Sequence, residues 1–260
     1  MSSNNLPIAL LAIYSLLSLP TIFIIFKHGI RHGAILGWFY LFAFCTLRII
    51  SSALQLGDPT DSTAALVANI GLSPLLLSTC GILHESRAYL FPKRRRVLEI
   101  AGIVVFHQLV AAAIALVAAG ASNLSDITEN HNSQPDAISK NQTLVKVGEV
   151  LLLLAWLAVT VLAGFTAARV YNGRSKAGDF LIGGRTLVCA VALAMPFLGI
   201  RLLTSLVYFF TDDPVLNPVT GSVGLKVGLE IIEELVVSLV YIVAGLKTRN
   251  IGRVVQHEAL

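Results

Sequence analysis

The chain has 260 residues, 55% hydrophobic and 13% charged, with a mean hydropathy of +0.78, whereas soluble domains carry about 25% charged residues. This composition excludes a soluble globular domain, a disordered regulator and a collagen-like chain. With 19 Lys and Arg against 15 Asp and Glu, the chain also lacks the basic excess of a nucleic-acid-binding surface, and it reads as an all-α protein of the bilayer.

A helix needs about 20 mostly apolar residues to cross roughly 30 Å of hydrocarbon. Seven runs qualify in chain order: 6–26, 35–57, 64–83, 97–119, 146–168, 186–210 and 222–246. Met1 to Asn5 carries no positive charge, and the first run is too long for the apolar core of a signal peptide, so it is expected to remain as a mature helix. The runs are continuous rather than alternating, which selects helices over barrel strands. Residues 1–260 are thus expected to form a single seven-helix transmembrane domain with no soluble domain left over. Pro20, Pro74 and Pro196 fall inside spans one, three and six, where proline opens kinks. Cys45, Cys80 and Cys189 lie in apolar runs, are odd in number, and read as small core residues without disulfide or zinc spacing.

The charges alternate between connections. Fourteen of the 19 Lys and Arg lie in alternate connections and the C-terminal tail, including Arg87, Lys93 to Arg96, Arg169, Arg174 and Lys247. The opposite connections carry Asp58, Asp61, Asp126, Glu129, Asp136, Asp212 and Asp213. The positive-inside rule then puts the N-terminus outside or in the lumen and the C-terminus in the cytosol. Two glycosylation sequons, at Asn123 and Asn141, lie in an expected 120–145 loop on the non-cytosolic side.

Five ionisable residues sit deep in spans: Arg48 in the second, Arg201 in the sixth, and Glu230, Glu233 and Glu234 in the seventh. Each costs about 2.5–3.5 kcal/mol at the centre of an isolated helix, so they must face the protein interior. The glutamates share one stripe of helix, with Lys226 one turn earlier. Pairing of Arg48 and Arg201 with two of them would tie spans two, six and seven together. Three glutamates outnumber two arginines. If Lys226 snorkels outward, one carboxyl stays without a deep cation and keeps its proton, and a protonated carboxylic acid in a dry cavity is a general acid.

Asn69, Gln55, His107 and Gln108 are expected to hydrogen-bond between helices. Glu149 and Lys146 fall in the first turn of span five, at the interface. Trp38, Tyr40, Trp156, Tyr171 and Tyr208 fit an aromatic belt. No metal is implied: His84 and Glu85 begin no HExxH motif, and His28 and His32 lie among glycines in an expected loop. Asp212 and Asp213 precede Pro214 as a turn, at the wrong spacing for a magnesium-diphosphate site, and Gly183-Gly184 follows no strand and makes no phosphate loop.

Seven helices with an outer N-terminus also suit a receptor. Glu85-Ser-Arg87 matches a receptor motif only superficially, Lys226 is too near a helix end for a retinal Schiff base, and no internal repeat supports alternating access. Gly71-Leu-Ser-Pro-Leu-Leu-Leu77, Leu47-Arg-Ile49, Pro196-Phe-Leu-Gly-Ile-Arg-Leu202 and Asn217-Pro-Val-Thr-Gly-Ser-Val223 leading into Glu234 resemble a family of fungal seven-helix membrane proteins. That group is similar to the membrane-bound terpene cyclases of fungal meroterpenoid pathways, the ascofuranone cyclase type, and the resemblance runs over nearly the whole chain.

The resemblance implies protonation of a terminal epoxide on a prenylated aromatic, followed by cyclisation, as in secondary-metabolite biosynthesis, with no metal or organic cofactor. Arg48, Arg201 and Glu234 match the family's pattern; Glu230 and Glu233 are additions of this sequence, which leaves Glu234 or Glu230 as the expected acid. The implied partner is a lipophilic small molecule entering from the bilayer a cavity among spans two, three, six and seven. The short spans favour the endoplasmic reticulum over the plasma membrane. The alternative is a non-enzymatic receptor or lipid exporter in which the same charges form a switchable lock.

Overall fold

In hydrocarbon every backbone N–H and C=O must be satisfied within its own segment, and the apolar runs accordingly fold as helices. The computed structural model describes residues 5–28, 34–58, 62–91, 96–129, 135–172, 179–211 and 223–249. In chain order these are α1 Asn5–His28, α2 Ala34–Gly57, α3 Ser62–Ile70, α4 Leu72–Leu90, α5 Arg96–Glu129, α6 Pro135–Tyr171, α7 Asp179–Thr211, α8 Val223–Lys226, a π turn at Val227–Ile231, and α9 Ile232–Thr248.

Among the described residues six helical stretches are long and apolar enough to cross a membrane: Asn5–His28, Ile35–Gly57, Leu66–Leu90, Glu99–Leu124, Pro135–Tyr171 and Ile182–Thr211. The expected seventh run is helical too, but α8, the π turn and α9 divide it and Lys226, Glu230, Glu233 and Glu234 lower its hydropathy. Expected span three is also corrected. It is two helices, α3 and α4, meeting at Gly71, and it runs on to Leu90. Pro74 in the first turn of α4 has no N–H to bond the Ile70 carbonyl, which ends α3 there. Gly71 keeps a helical backbone and its N–H reaches Val67 O at 3.1 Å, so the junction bends rather than breaks.

A further correction concerns the expected 120–145 loop. Helix α5 continues to Glu129 and α6 already starts at Pro135. The two helices remain wound because they pack closely along each other: a Cβ on Gly120 would lie 2.7 Å from Asn141 O, and one on Gly148 would lie 2.8 Å from Ala113 O. Small residues at these crossings let the backbones approach without a side chain between them.

Helix α4 is the centre of the bundle; the Leu66–Leu90 stretch that contains it is 76% buried across its apolar window, against 22% for those of α1 and α5. It packs on α2 and α7, while α1 covers α2, α6 joins α5 to α7, and α9 lies on α7 and α1. Large apolar side chains such as Leu16, Phe26 and Phe165 point outward, as suits a lipid-facing surface. The interior holds polar and charged groups beside the apolar core: Arg201, Glu85 and Glu234 are at most 1% exposed.

The tightest backbone contact lies between α2 and α4, where a Cβ on Gly81 would fall 2.5 Å from the Cα and N of Gly37. Gly81→Ala therefore has to separate these helices, because neither obstructing atom belongs to a flexible side chain. We expect a cost at the upper end of the ~1–3 kcal/mol for overpacking, read as a fall in the thermal midpoint of the detergent-solubilised protein. Gly102→Ala, whose new Cβ meets nothing within 4 Å, is the control and should leave the midpoint nearly unchanged.

Candidate functional site

The deep charges converge as their cost in hydrocarbon requires. Arg48 on α2 and Arg201 on α7 both reach Glu234 on α9: Arg48 Nη2 pairs with Oε2, and Arg201 Nε lies 3.1 Å from Oε1. Arg201 Nη2 also lies 3.6 Å from Glu230 Oε2. Arg48, Arg201, Glu230, Glu233 and Glu234 are all buried, and the two arginines tie α2, α7 and α9 as the sequence suggests. The Phe44 ring lies 5.9 Å from the Arg48 guanidinium carbon, adding a cation–π face, and Tyr14 packs edge-on to Phe44 at 5.5 Å.

The π turn shapes this wall. The Ile232 N–H bonds to Val227 O, five residues back, a widened turn of a kind often found at functional positions. Glu230, within it, and Glu234, one turn on, both face Arg201, whereas Glu233 is buried with its Oε2 lacking a hydrogen-bond partner among the described residues. Lys226, one turn before Glu230, is half-buried.

Glu149 joins this neighbourhood, contrary to the expectation of an interfacial residue. Because α6 starts at Pro135 and not at Lys146, Glu149 lies well inside the helix, 3% exposed, facing α7. Ser205 Oγ donates to its Oε1 at 3.3 Å, and its Oε2 lacks a hydrogen-bond partner among the described residues. Ser205 lies one turn from Arg201 on α7, so Glu149 borders a cluster in which Glu230 and Glu234 hold the two arginines and Glu233 is buried on the same helix as Glu234. Among the described residues no three His, Cys, Asp or Glu side chains converge as metal ligands.

A second buried constellation lies at the end of the bundle where α1 finishes and α4 and α9 end. His28 is expected in a glycine loop, yet it is the last residue of α1 and is buried. Its Nδ1 lies 2.6 Å from Glu85 Oε1 and its Nε2 lies 3.1 Å from Gly245 O. Trp38 Nε1 donates to Glu85 Oε2 at 2.8 Å and Tyr89 OH donates to Oε1 at 3.2 Å. Glu85 thus accepts from three donors, which fits a carboxylate, and His28 faces an acceptor on both sides, which fits the doubly protonated ring. The absence of a side chain at Gly245 admits the Trp38 ring, which a Cβ there would meet at 2.8 Å. The sequence carries one signal for this site, an acidic residue inside an apolar run that continues past residue 83.

Several smaller expectations change. Trp38 is fully buried and Trp156 donates to Met195 O at 3.0 Å; these indoles serve helix contacts rather than a belt, while Tyr171 is exposed as a belt residue would be. Cys45 and Cys80 are buried but Cys189 is exposed, because it lies on the outer face of α7. His107 Nδ1 bonds Ile103 O and Gln55 Nε2 donates to Ser51 Oγ, both within their own helices, and Gln108 is exposed. A carbonyl or hydroxyl one turn back in the same helix competes with partners on neighbouring helices for such side chains.

Both sequon asparagines lie on helices. Asn123 is exposed, whereas Asn141 is buried and its Oδ1 accepts from Asn123 Nδ2 at 3.3 Å, so a glycan on Asn141 would have to displace that contact. The Asn69 side chain, His32, Asp212, Asp213 and Asn217 lie outside the described residues.

Apolar helices closed around buried ion pairs define a polytopic helical membrane protein. Residues 1–251 match the family described as a domain of unknown function, DUF7702, and the chain belongs to that family. No curated protein and no solved structure matches it.

Proposed function

We propose that this chain is a membrane-embedded, cofactor-independent terpene cyclase that protonates an epoxidised prenyl chain on a lipophilic aromatic and closes it into rings. The observation that carries this is the surplus of buried carboxyls over cations: Glu230 and Glu234 hold Arg48 and Arg201, Glu149 and Glu233 are buried besides, and Lys226, half-buried one turn before Glu230, adds one further cation. Glu234 is held by two guanidinium groups and Glu230 by one, so each already has a cationic partner. Glu149 and Glu233, by contrast, make no ion pair among the described residues, and each keeps a buried oxygen without a hydrogen-bond partner there, so a proton on the carboxyl would offset the cost of burying it. We therefore move the donor from Glu234 or Glu230 to Glu149 or Glu233.

The acid gives its proton to the epoxide oxygen as the C–O bond breaks, and an alkene of the same chain attacks the carbon left electron-poor. The paired carboxylates stabilise the cation that results. Loss of a proton from carbon to a carboxylate ends the sequence, so the reaction is an isomerisation. Seven spans with the N-terminus outside or lumenal, a cytosolic C-terminus and residence in the endoplasmic reticulum complete the proposal.

Microsomes containing the chain, given an epoxyfarnesyl phenol without added metal or nucleotide, should form a cyclised isomer. At matched expression, Glu149→Gln or Glu233→Gln should lower its rate by about 100-fold or more, within the usual range for a general acid. The amide mimics the neutral acid in shape, so the thermal midpoint should hardly move. No product from the parent, or full rates from both variants, would overturn the assignment. The arginine link across α2, α7 and α9 favours, as a second reading, a receptor or lipid exporter in which that link opens, and an inactive parent shifts the weight there.

A further inference from the structure

A cleft of about 350 Å³ opens between α4, α5 and α6, away from the arginine–glutamate cluster. Its wall is apolar, formed by Ile103, Phe106 and Val159 within and Leu162 at the outer edge, and its mouth carries His84, Arg87 and Glu99. The volume lies within the ~300–1,000 Å³ of small-molecule sites. Gly102 and Leu162 on its rim are exposed on the outer surface of the helices, so the cleft faces the bilayer and not the bundle axis.

The mouth has a defined charge. Arg87 Nη1 donates to Thr166 Oγ1 at 3.0 Å and Nη2 lies 3.3 Å from Glu99 Oε1, while His84 Nδ1 lies 4.0 Å from Glu99 Oε2. Arg169 is close enough to repel the Arg87 charge. Glu99 is the one carboxylate among the residues lining the cleft, with Arg87 at its mouth and Arg169 beyond, and its 3.3 Å contact to Arg87 is longer than the ~2.7–2.9 Å of a close charge-assisted bond. A planar guanidinium matches phosphate oxygens in pairs, and basic residues at a helix end meet the headgroup layer of the membrane.

We propose that this cleft holds one anionic phospholipid of the bilayer, with an acyl chain along the Ile103–Phe106–Val159–Leu162 wall and its phosphate at Arg87. The site is independent of the proposed cyclase reaction. A neutral or zwitterionic lipid would leave the excess positive charge at the mouth unmatched, and a free phosphate would leave the apolar wall empty.

Native mass spectrometry of the purified full-length chain, released from detergent micelles containing equal phosphatidic acid and phosphatidylcholine, tests this. One phosphatidic acid per chain should be retained about tenfold over phosphatidylcholine, a difference of about 1.4 kcal/mol. An ideal Cβ at Gly102 meets nothing within 4 Å, so Gly102→Leu fills the cleft without a backbone clash and should abolish retention with the thermal midpoint kept. Arg87→Gln should reduce the two lipids to parity. Equal retention of both lipids by the parent, no retained lipid, or an undiminished adduct in Gly102→Leu would overturn the proposal.

Discussion

Glu234→Gln should destabilise the folded protein by about 3–5 kcal/mol, the usual cost of removing one partner from a buried ion pair. The carboxyl is fully buried and holds two arginines from two helices at once. An amide leaves Arg201 its 3.6 Å contact to Glu230, but Arg48 has no other ion pair among the described residues and is 4% exposed. Its guanidinium cannot shed its proton at accessible pH, so the uncompensated charge remains in the interior. The thermal midpoint of the detergent-solubilised protein measures the loss. An Arg48→Met/Glu234→Met double variant removes both charges and should cost less than the sum of the single changes, because neither is then left alone. Simple additivity would mean that the two groups are not coupled.

Glu85→Gln should have an effect of similar size, about 3–5 kcal/mol, but in a different part of the bundle. Glu85 accepts from His28, Trp38 and Tyr89 and is fully buried. The amide offers one acceptor oxygen where two are needed, and its NH2 group faces a donor. The histidine also holds the Gly245 carbonyl of α9, so the loss should spread from α4 to α1 and α9. Hydrogen exchange should increase at the final turns of α1 and α9, with the Arg48–Glu234 region keeping its protection. Uniform exchange throughout the bundle would contradict two separate locks.

The deep charges were largely legible because hydrocarbon leaves them few options. Arg48 and Arg201 on apolar runs, opposite a stripe of Glu230, Glu233 and Glu234, had to meet, and Arg48, Arg201, Glu230 and Glu234 do so. Glu149 reads from hydropathy as an interfacial residue in the first turn of span five, whereas α6 continues through polar residues back to Pro135 and buries it. Its partner Ser205 lies 56 residues away, and nothing local to either side chain announces the pair. Hydropathy ends the third span at residue 83, short of Glu85, and the glycines beside His28 suggest a loop there. Only their approach across α1 and α4 reveals a buried pair.

By itself the sequence determined the class of the protein: apolar runs of about 20 residues with few charges leave helices in a bilayer as the economical solution, since backbone groups there must bond within each segment. It also determined which charges required partners. Tertiary structure decided the rest. It chose which carboxyl each arginine holds, carried α5 and α6 past the apolar runs through glycine-mediated contact, and brought His28 to Glu85. Those choices depend on helix register and on close approach between distant segments, and hydropathy along a single chain contains neither.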